Sequence, residues 1–373
     1  MKKFMNLFCT MCVVATVFAA CSKDDPEPLT IGLQAQYETP NCKVLEIKPT
    51  IANGTAAKYK WSCGDSIYST DETFAFITAE VGKKDFVLTV TDAGEKVYTA
   101  NFAINVTDGG YKNIQTSVIE YDPAPYEFIN TYVIKNRNKA TVMKELNDML
   151  KAGKKFKDID IDNGYRIGLP IGSMGGSAVL GFDHTIVNVP GEDDFKMEAS
   201  LGGMTGVVYV AYDKNRNGLP DENEWYELKG DNYGNEKAET PNAFVTYSSV
   251  VYLQDFDCFE IHYKDDLEKQ PLMVGEACFP GYDDQGNFMK GSGWRELPFT
   301  IRYKRVFANE DRKGYVCAFK NAFNIENAVD QKGNSVNLPG IDFIKIVVGG
   351  IVRNEGTLPG IIVEDIYDCH LTK

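Results

Sequence analysis

Residues 213–224 read Asp-Lys-Asn-Arg-Asn-Gly-Leu-Pro-Asp-Glu-Asn-Glu. They fit the oxygen-ligand loop pattern D-x-[DN]-x-[DN]-G-x5-E throughout. Calcium takes about six to eight hard oxygens, and alternate positions of a loop this long supply them. Asp213, Asn215 and Asn217 offer side-chain oxygens, Leu219 its carbonyl, Asp221 a direct or water-mediated contact, and Glu224 both carboxylate oxygens. Gly218 permits the sharp turn. Two neutral amides in the set predict modest affinity, suited to the calcium-rich exterior of a cell. The expected role is structural, fixing the loop that leads into Trp225 and Tyr226; the competing reading is a solvated acidic turn.

A second chemistry lies in residues 278–307, where Phe279, Tyr282, Phe288, Trp294, Phe299 and Tyr303 alternate with glycines and charges. Rings beside polar groups suit amphipathic ligand faces, such as sugars or a corrinoid. Tyr282 and Trp294 are the candidate ligand-binding residues; the alternative is a long loop pinned by its own rings. Nucleophilic catalysis has little to draw on, because the three histidines are His184, His262 and His370. His184 follows Asp183, yet neighbours in a strand point to opposite faces and cannot simply share a site. His262 lies in the alternating run Phe259 to Tyr263, where a satisfied or solvent-facing imidazole is expected. Fifty-three acidic residues make some carboxylate pair inevitable, so acid abundance is no argument for a glycosidase. Catalytic residues are therefore expected to be absent. Gly172, Gly175 and Gly176 precede a strand-like run, whereas a dinucleotide cradle needs a helix there; tight sandwich packing explains them better.

The elements around these residues are mainly strands. Among 373 residues, 33 glycines, 15 prolines, 20 tyrosines and 21 phenylalanines favour a turn-rich β protein. Residues 29 to 107 alternate strand-like runs, Lys43–Ile47, Tyr59–Ser62, Thr73–Phe76, Asp85–Val90 and Asn101–Val106, with turns at Asn53-Gly54, Gly64-Asp65 and Asp92 to Glu95. That spacing predicts a small antiparallel sandwich. After Asp108-Gly109-Gly110-Tyr111, one helix is predicted: Asn138 caps it, Val142, Leu146, Met149 and Leu150 share a face, and Gly153 closes it. Strands are predicted at 177–182, 207–212, 249–253 and 343–348, the second entering the metal-like loop where a helix–loop–helix calcium site has a helix. A net charge of −14 opposes nucleic acid and anionic lipid headgroups.

The first twenty residues are an address: Lys2 and Lys3, an apolar run from Phe4 to Ala20, then Cys21. This describes a secretory signal too short to span a bilayer. Phe18-Ala19-Ala20-Cys21 resembles a bacterial lipobox, with Phe18 where the pattern usually has Leu, which implies a diacylated Cys21 as the mature N-terminus. Residues 21–28 form a solvated tether, and Ser22-Lys23-Asp24-Asp25-Pro26-Glu27 resembles the acidic export signal of Bacteroidetes surface lipoproteins. Removal of residues 1–20 leaves 37 basic against 53 acidic residues, a net of −16. Six cysteines remain after the anchor (Cys42, Cys63, Cys258, Cys278, Cys317 and Cys369), with Cys42–Cys63 a candidate pair. No CxxC spacing supports a zinc site among them.

Two resemblances assign the bodies. The Tyr59-Lys60-Trp61 strand followed by Gly82 to Asp92 resembles a PKD or Ig-like domain over 29–107, which implies that Trp61 fills the core and that the module is a spacer. Gly172-Ser173-Met174-Gly175-Gly176, Gly181-Phe182-Asp183-His184, Pro190 to Phe195, Asp213 to Leu228, Leu338 to Phe343 and Asp368 to Leu371 resemble a family of Bacteroidetes cell-surface lipoproteins. These pair a PKD-like module with a jelly-roll-like domain, here 116–371, and the segments also resemble a cobalamin-capturing group among such lipoproteins. The resemblance implies an all-β, non-catalytic capture protein, lipid-anchored in the outer membrane and facing outward; the 213–224 loop adds calcium as the expected structural cofactor. It would hand a nutrient, cobalamin foremost, to a TonB-dependent outer-membrane transporter. A carbohydrate-binding or adhesive module is the alternative, and a glycoside hydrolase the third reading.

Overall fold

The computed structural model describes residues 27–123, 137–159, 168–172, 176–200, 206–230, 233, 245–247, 250–255, 258–263, 272–274, 285, 293–296, 301–303, 315–316, 319–348 and 360–371. The chain divides into two units, Met1–Gly110 and Tyr111–Lys373.

The smaller unit contains β1 (Thr30–Gly32), β2 (Gln36–Pro40), β3 (Leu45–Ile47), β4 (Thr50–Ala52), β5 (Ala56–Cys63), β6 (Ser66–Ser69), β7 (Phe74–Phe76), β8 (Gly82–Asp92) and β9 (Val97–Thr107). Five strands form a sheet in the order β2-β9-β8-β5-β6, and β3 pairs β7. Alternation along β8 and β9 sends Phe86, Leu88, Val90, Phe102, Ile104 and Val106 inward. Trp61 fills the centre, stacked on Phe74 at 5.0 Å and edge-on to Phe102 at 5.7 Å. Its indole N–H donates to the Asp71 carbonyl at 2.8 Å, so the ring is buried without an orphaned donor. Trp61 is core, as the resemblance to an Ig-like module implied. Cys63 carries a free thiol, so the expected Cys42–Cys63 bridge is not formed. Cys42 follows β2 and Cys63 ends β5, three strand spacings apart in one sheet. That is about 14 Å, beyond disulfide reach.

The larger unit begins with β10 (Ser117–Asp122), then α1 (Lys139–Lys151), β11 (Leu169–Gly172), β12 (Ser177–Val187), β13 (Phe195–Ser200), β14 (Gly206–Ala211) and β15 (Trp225–Leu228). Strands β16 (Val245–Tyr247), β17 (Val250–Asp255), β18 (Cys258–Tyr263), β19 (Leu272–Val274), β20 (Gly293–Glu296) and β21 (Ile301–Tyr303) follow. The chain closes with β22 (Tyr315–Val316), β23 (Phe319–Phe323), β24 (Ala328–Val329), β25 (Gly340–Val348) and β26 (Ile361–Asp368). One sheet runs β10-β12-β25-β14-β15-β24, with β22 on β14; the facing sheet runs β11-β26-β13-β23. Strands β11 to β14 pass alternately between the two sheets, the connectivity of a jelly-roll-like sandwich. Both inner faces share one core, from Leu180, Val208, Val210, Ile344 and Ile346 to Phe195, Met197, Ile362 and Ile366. Gly172 ends β11 at φ 87° and a strand follows, so this segment is not a strand-to-helix phosphate cradle.

Helix α1 lies along the edge strand. Asn138 caps it by accepting the Thr141 N–H at 2.8 Å, and Val142, Leu146 and Leu150 enter the core. The Asn147 amide acts as one more strand residue: its oxygen accepts the Val118 N–H at 3.0 Å and its nitrogen donates to the Val118 carbonyl at 2.9 Å. Together these cover the open edge of β10.

Candidate functional site

Strands β14 and β15 are joined by the 213–224 loop. Alternation turns Val208, Val210, Tyr226 and Leu228 into the core and places Tyr209, Ala211, Trp225 and Glu227 on the opposite, outward face of the sheet. Register then assembles two rows across this face. One runs Glu120, Val179, Lys345, Tyr209, Glu227, and the next Gly181, Phe343, Ala211, Trp225. The first row spans five strands, about 19 Å. Val179, Ala211 and Phe343 form a buried apolar floor on which Ile119 and Trp225 pack. The Lys345 ammonium lies 5.7 Å from the centroid of the Trp225 ring, within cation–π range. At one end, partial desolvation and a hydrogen bond to Asp122 hold the Glu120 carboxyl above its usual range, against Lys345 and Lys139. Asp122 is itself paired with Lys139 of α1.

The loop beside this face is closely organised. Asp213 accepts the N–H groups of Asn217 at 3.1 Å and Gly218 at 2.7 Å; the side-chain oxygen of Asn215 accepts Asn217 N–H and that of Asn217 accepts Leu219 N–H. Arg216 and Gly218 adopt left-handed backbone at φ 58° and 80°, and only at Gly218 is a missing Cβ available to relieve it. Glu224 is buried and closes the loop, accepting Lys214 N–H at 2.9 Å and Asp221 N–H at 3.1 Å. Thus the residues predicted as ligands share one loop, entered by a strand and left through a single helical turn, Glu222–Glu224. The donor set is all oxygen and hard, which fits calcium in kind. It is not acid-rich: among the described residues no group of three or more His, Cys, Asp or Glu stands in metal-binding reach. A cation here needs Asn215, Asn217 and the Leu219 carbonyl as well. Both amide nitrogens donate to Asp221, at 2.5 and 3.2 Å, and a cation would take their place. Asp342 fastens the loop to the sheet, accepting Asp213 N–H at 2.8 Å and the Thr185 hydroxyl at 2.6 Å. Burial pushes its carboxyl up to about 6 despite those two bonds.

Asp183 and His184 do share a site, contrary to the expectation from strand alternation. The pairing of β12 with β25 slips between Gly181 and Ile186, so β12 is bulged where the two residues sit. The Nδ1 of His184 is 2.9 Å from Asp183 Oδ1, and its Nε2 is 2.8 Å from Asp368 Oδ2. His370 lies nearby in this network: its N–H donates to Asp368 and its Nε2 is 2.9 Å from Asp194 Oδ1. The hydrogen bond to Asp194 outweighs burial and holds His370 above the usual histidine range. The arrangement suits charge pairing inside the fold.

Of the other predicted sites, Cys21 and Tyr282 lie outside the described residues. Trp294 belongs to β20, opposite Leu253 of β17, and the backbone placement there does not join it to the face described above. The row Glu120, Lys345, Tyr209, Glu227 escaped sequence reading. Its one local signal is Lys345 alone within the apolar run Phe343 to Val348, together with the Trp225, Glu227 alternation.

No protein-family model and no curated protein sequence matches this chain. Among solved structures it is similar to a carbohydrate-binding module of the β-sandwich superfamily, at 11% identity over 92% of this chain and 98% of that one, with a TM-score of 0.19. It is also similar to a quinoprotein alcohol dehydrogenase-like protein from Bacteroides thetaiotaomicron, at 12% identity over 73% and 60% of the two chains, TM-score 0.18. A third likeness is to three N-terminal domains of the outer capsid protein Hoc of bacteriophage RB49, at 11% identity over 66% and 65%, TM-score 0.18. At such scores and identities these likenesses carry no argument about ligand or activity. The chain is, by its own sheets, a mostly β protein of β-sandwich units with one α-helix among the described residues.

Proposed function

We propose that this is a non-catalytic binding protein whose larger sandwich holds a glycan on the outward face of its six-strand path, between Glu120 and Glu227. The observation that supports it is the convergence of Trp225, Tyr209 and Lys345 over the apolar floor of Val179, Ala211 and Phe343. A ring edged by alternating charges matches a sugar, which offers an apolar face and hydroxyls around it. Acids at Glu120, Asp122 and Glu227 are set against Lys139 and Lys345, so the face carries little net charge and favours uncharged sugars over sulfated or uronic ones. Calcium in the 213–224 loop, held by Asp213, Asn215, Asn217, Leu219, Asp221 and Glu224, would fix the turn that delivers Trp225. The N-terminal signal and Cys21 support export and lipid anchoring, which would put this face outside the cell.

Binding of the mature protein to immobilised neutral and acidic glycans, with cobalamin as a separate arm, tests the reading. Retention on neutral glycans without release of reducing sugar is the expected result. A glycan-negative protein that binds cobalamin tightly would replace the ligand class with the corrinoid that the sequence resemblance implies. Turnover of any glycan would overturn the non-catalytic assignment.

A further inference from the structure

We infer that His184 is the proton-operated pin of a clasp that fastens two remote segments to the bulge of β12: the entry to the larger unit at Tyr111–Lys112 and the end of β26 at Asp368–His370. Neither the His184 nor the Asp368 side chain has exposed surface. The two acids on the imidazole are the same groups that hold the segments. Asp183 accepts the Lys112 N–H at 3.3 Å through its other oxygen, and Asp368 accepts the His370 N–H at 2.7 Å through its own. The Tyr111 ring stacks on the imidazole, centroids 5.4 Å apart and planes 29° apart. The entry segment also pairs with β26, Ile114 opposite Tyr367, with Asp368 N–H donating to the Asn113 carbonyl at 3.0 Å.

A neutral imidazole has a single N–H, so one of the two carboxylates would then face a ring lone pair. The imidazolium alone satisfies both. The titratable groups around the ring are Asp183 on its own strand, Asp368 from β26, Asp342 from β25 and the Tyr111 phenol from the entry segment. His370 in turn sits against Asp194 and Glu192. Burial lowers the proton affinity of His184, and the bonds to Asp183 and Asp368 more than offset it, so the group is held above the ordinary histidine range. A raised histidine favours the closed clasp below the open-state value of about 6.5. That preference is lost as pH rises through the closed-state value. The segment released is the start of the larger unit.

Amide hydrogen exchange of the full mature chain, corrected for intrinsic rates, tests this when combined with histidine ring resonances in solution. The opening constant for amides 112 and 370 is expected to rise about tenfold per pH unit above about 6.5 and to level off once His184 has titrated. His184→Gln, neutral at every pH, should flatten that profile. Asp183→Asn removes only the partly exposed carboxylate and should shift the His184 midpoint and the opening profile down together, which keeps the test decisive where the glutamine variant does not fold. Opening that is flat with pH while His184 titrates, or an unchanged profile in Asp183→Asn, would overturn the inference.

Discussion

Lys345 and Trp225 sit on strands separated by β14, and the lysine ammonium nevertheless reaches 5.7 Å from the indole centroid across the outward face of the sheet. The contact fixes the ring and places a cation near the middle of the row from Glu120 to Glu227. Lys345→Met keeps the apolar stem against the floor and removes the charge. A partly exposed cation–π pair contributes about 0.5–1 kcal/mol, so thermal stability should fall only slightly while Trp225 fluorescence shifts and glycan affinity drops by up to about tenfold. Unchanged fluorescence would separate Lys345 from the ring in solution.

The 213–224 loop gives a second prediction. Calcium at about a hundred times its dissociation constant should stabilise the larger unit by about 2.7 kcal/mol, read as a rise in melting temperature that a chelator reverses. Glu224→Gln removes the buried charge that closes the loop and should abolish the rise. Equal melting with and without calcium in the unaltered chain would leave the loop as an acidic turn.

Asn147 carries the third. Its amide makes both hydrogen bonds to Val118 along the edge of β10. Asn147→Ala leaves a half-buried backbone donor and acceptor unpaired, at a cost of about 1–3 kcal/mol, measurable by urea denaturation. Asn147→Asp retains the acceptor for Val118 N–H but turns a carboxylate toward the Val118 carbonyl, so it should be no better than alanine.

The fourth concerns pH. His370 is held above its ordinary value chiefly by the bond to Asp194. Its unfolded value is about 6.5. The stability it contributes is therefore complete below that pH and is lost as pH rises through the folded value. His370→Gln should be less stable than the parent at about pH 5.5, and the gap should close at alkaline pH. A gap that is constant with pH would assign His370 a packing role alone.

What could be read from the sequence follows the range of each interaction. Helix α1 and its Asn138 cap and strands β5, β8, β9, β12, β14 and β25 depend on local periodicity, which the sequence prints directly, whereas the core position of Trp61 follows from the resemblance to an Ig-like module. The 213–224 loop was legible for the same reason, since all its residues are neighbours. The Asp183–His184 pair was misread because a bulge breaks alternation, and nothing local marks that bulge. The face from Glu120 to Glu227 was invisible because its residues meet only through the register of β10, β12, β25, β14 and β15. Tyr282 and Trp294 drew attention as aromatics in a polar stretch, a compositional cue that says nothing of where a strand lies in a sheet.

The most direct test is a calorimetric titration of a neutral glycan retained in the panel into the unaltered chain and into Trp225→Ala, with circular dichroism to verify that both are folded. Saturable binding that weakens at least about tenfold, or about 1.4 kcal/mol, in the alanine variant is the predicted outcome. Equal affinity in the two folded proteins would contradict the placement of the ligand on this face.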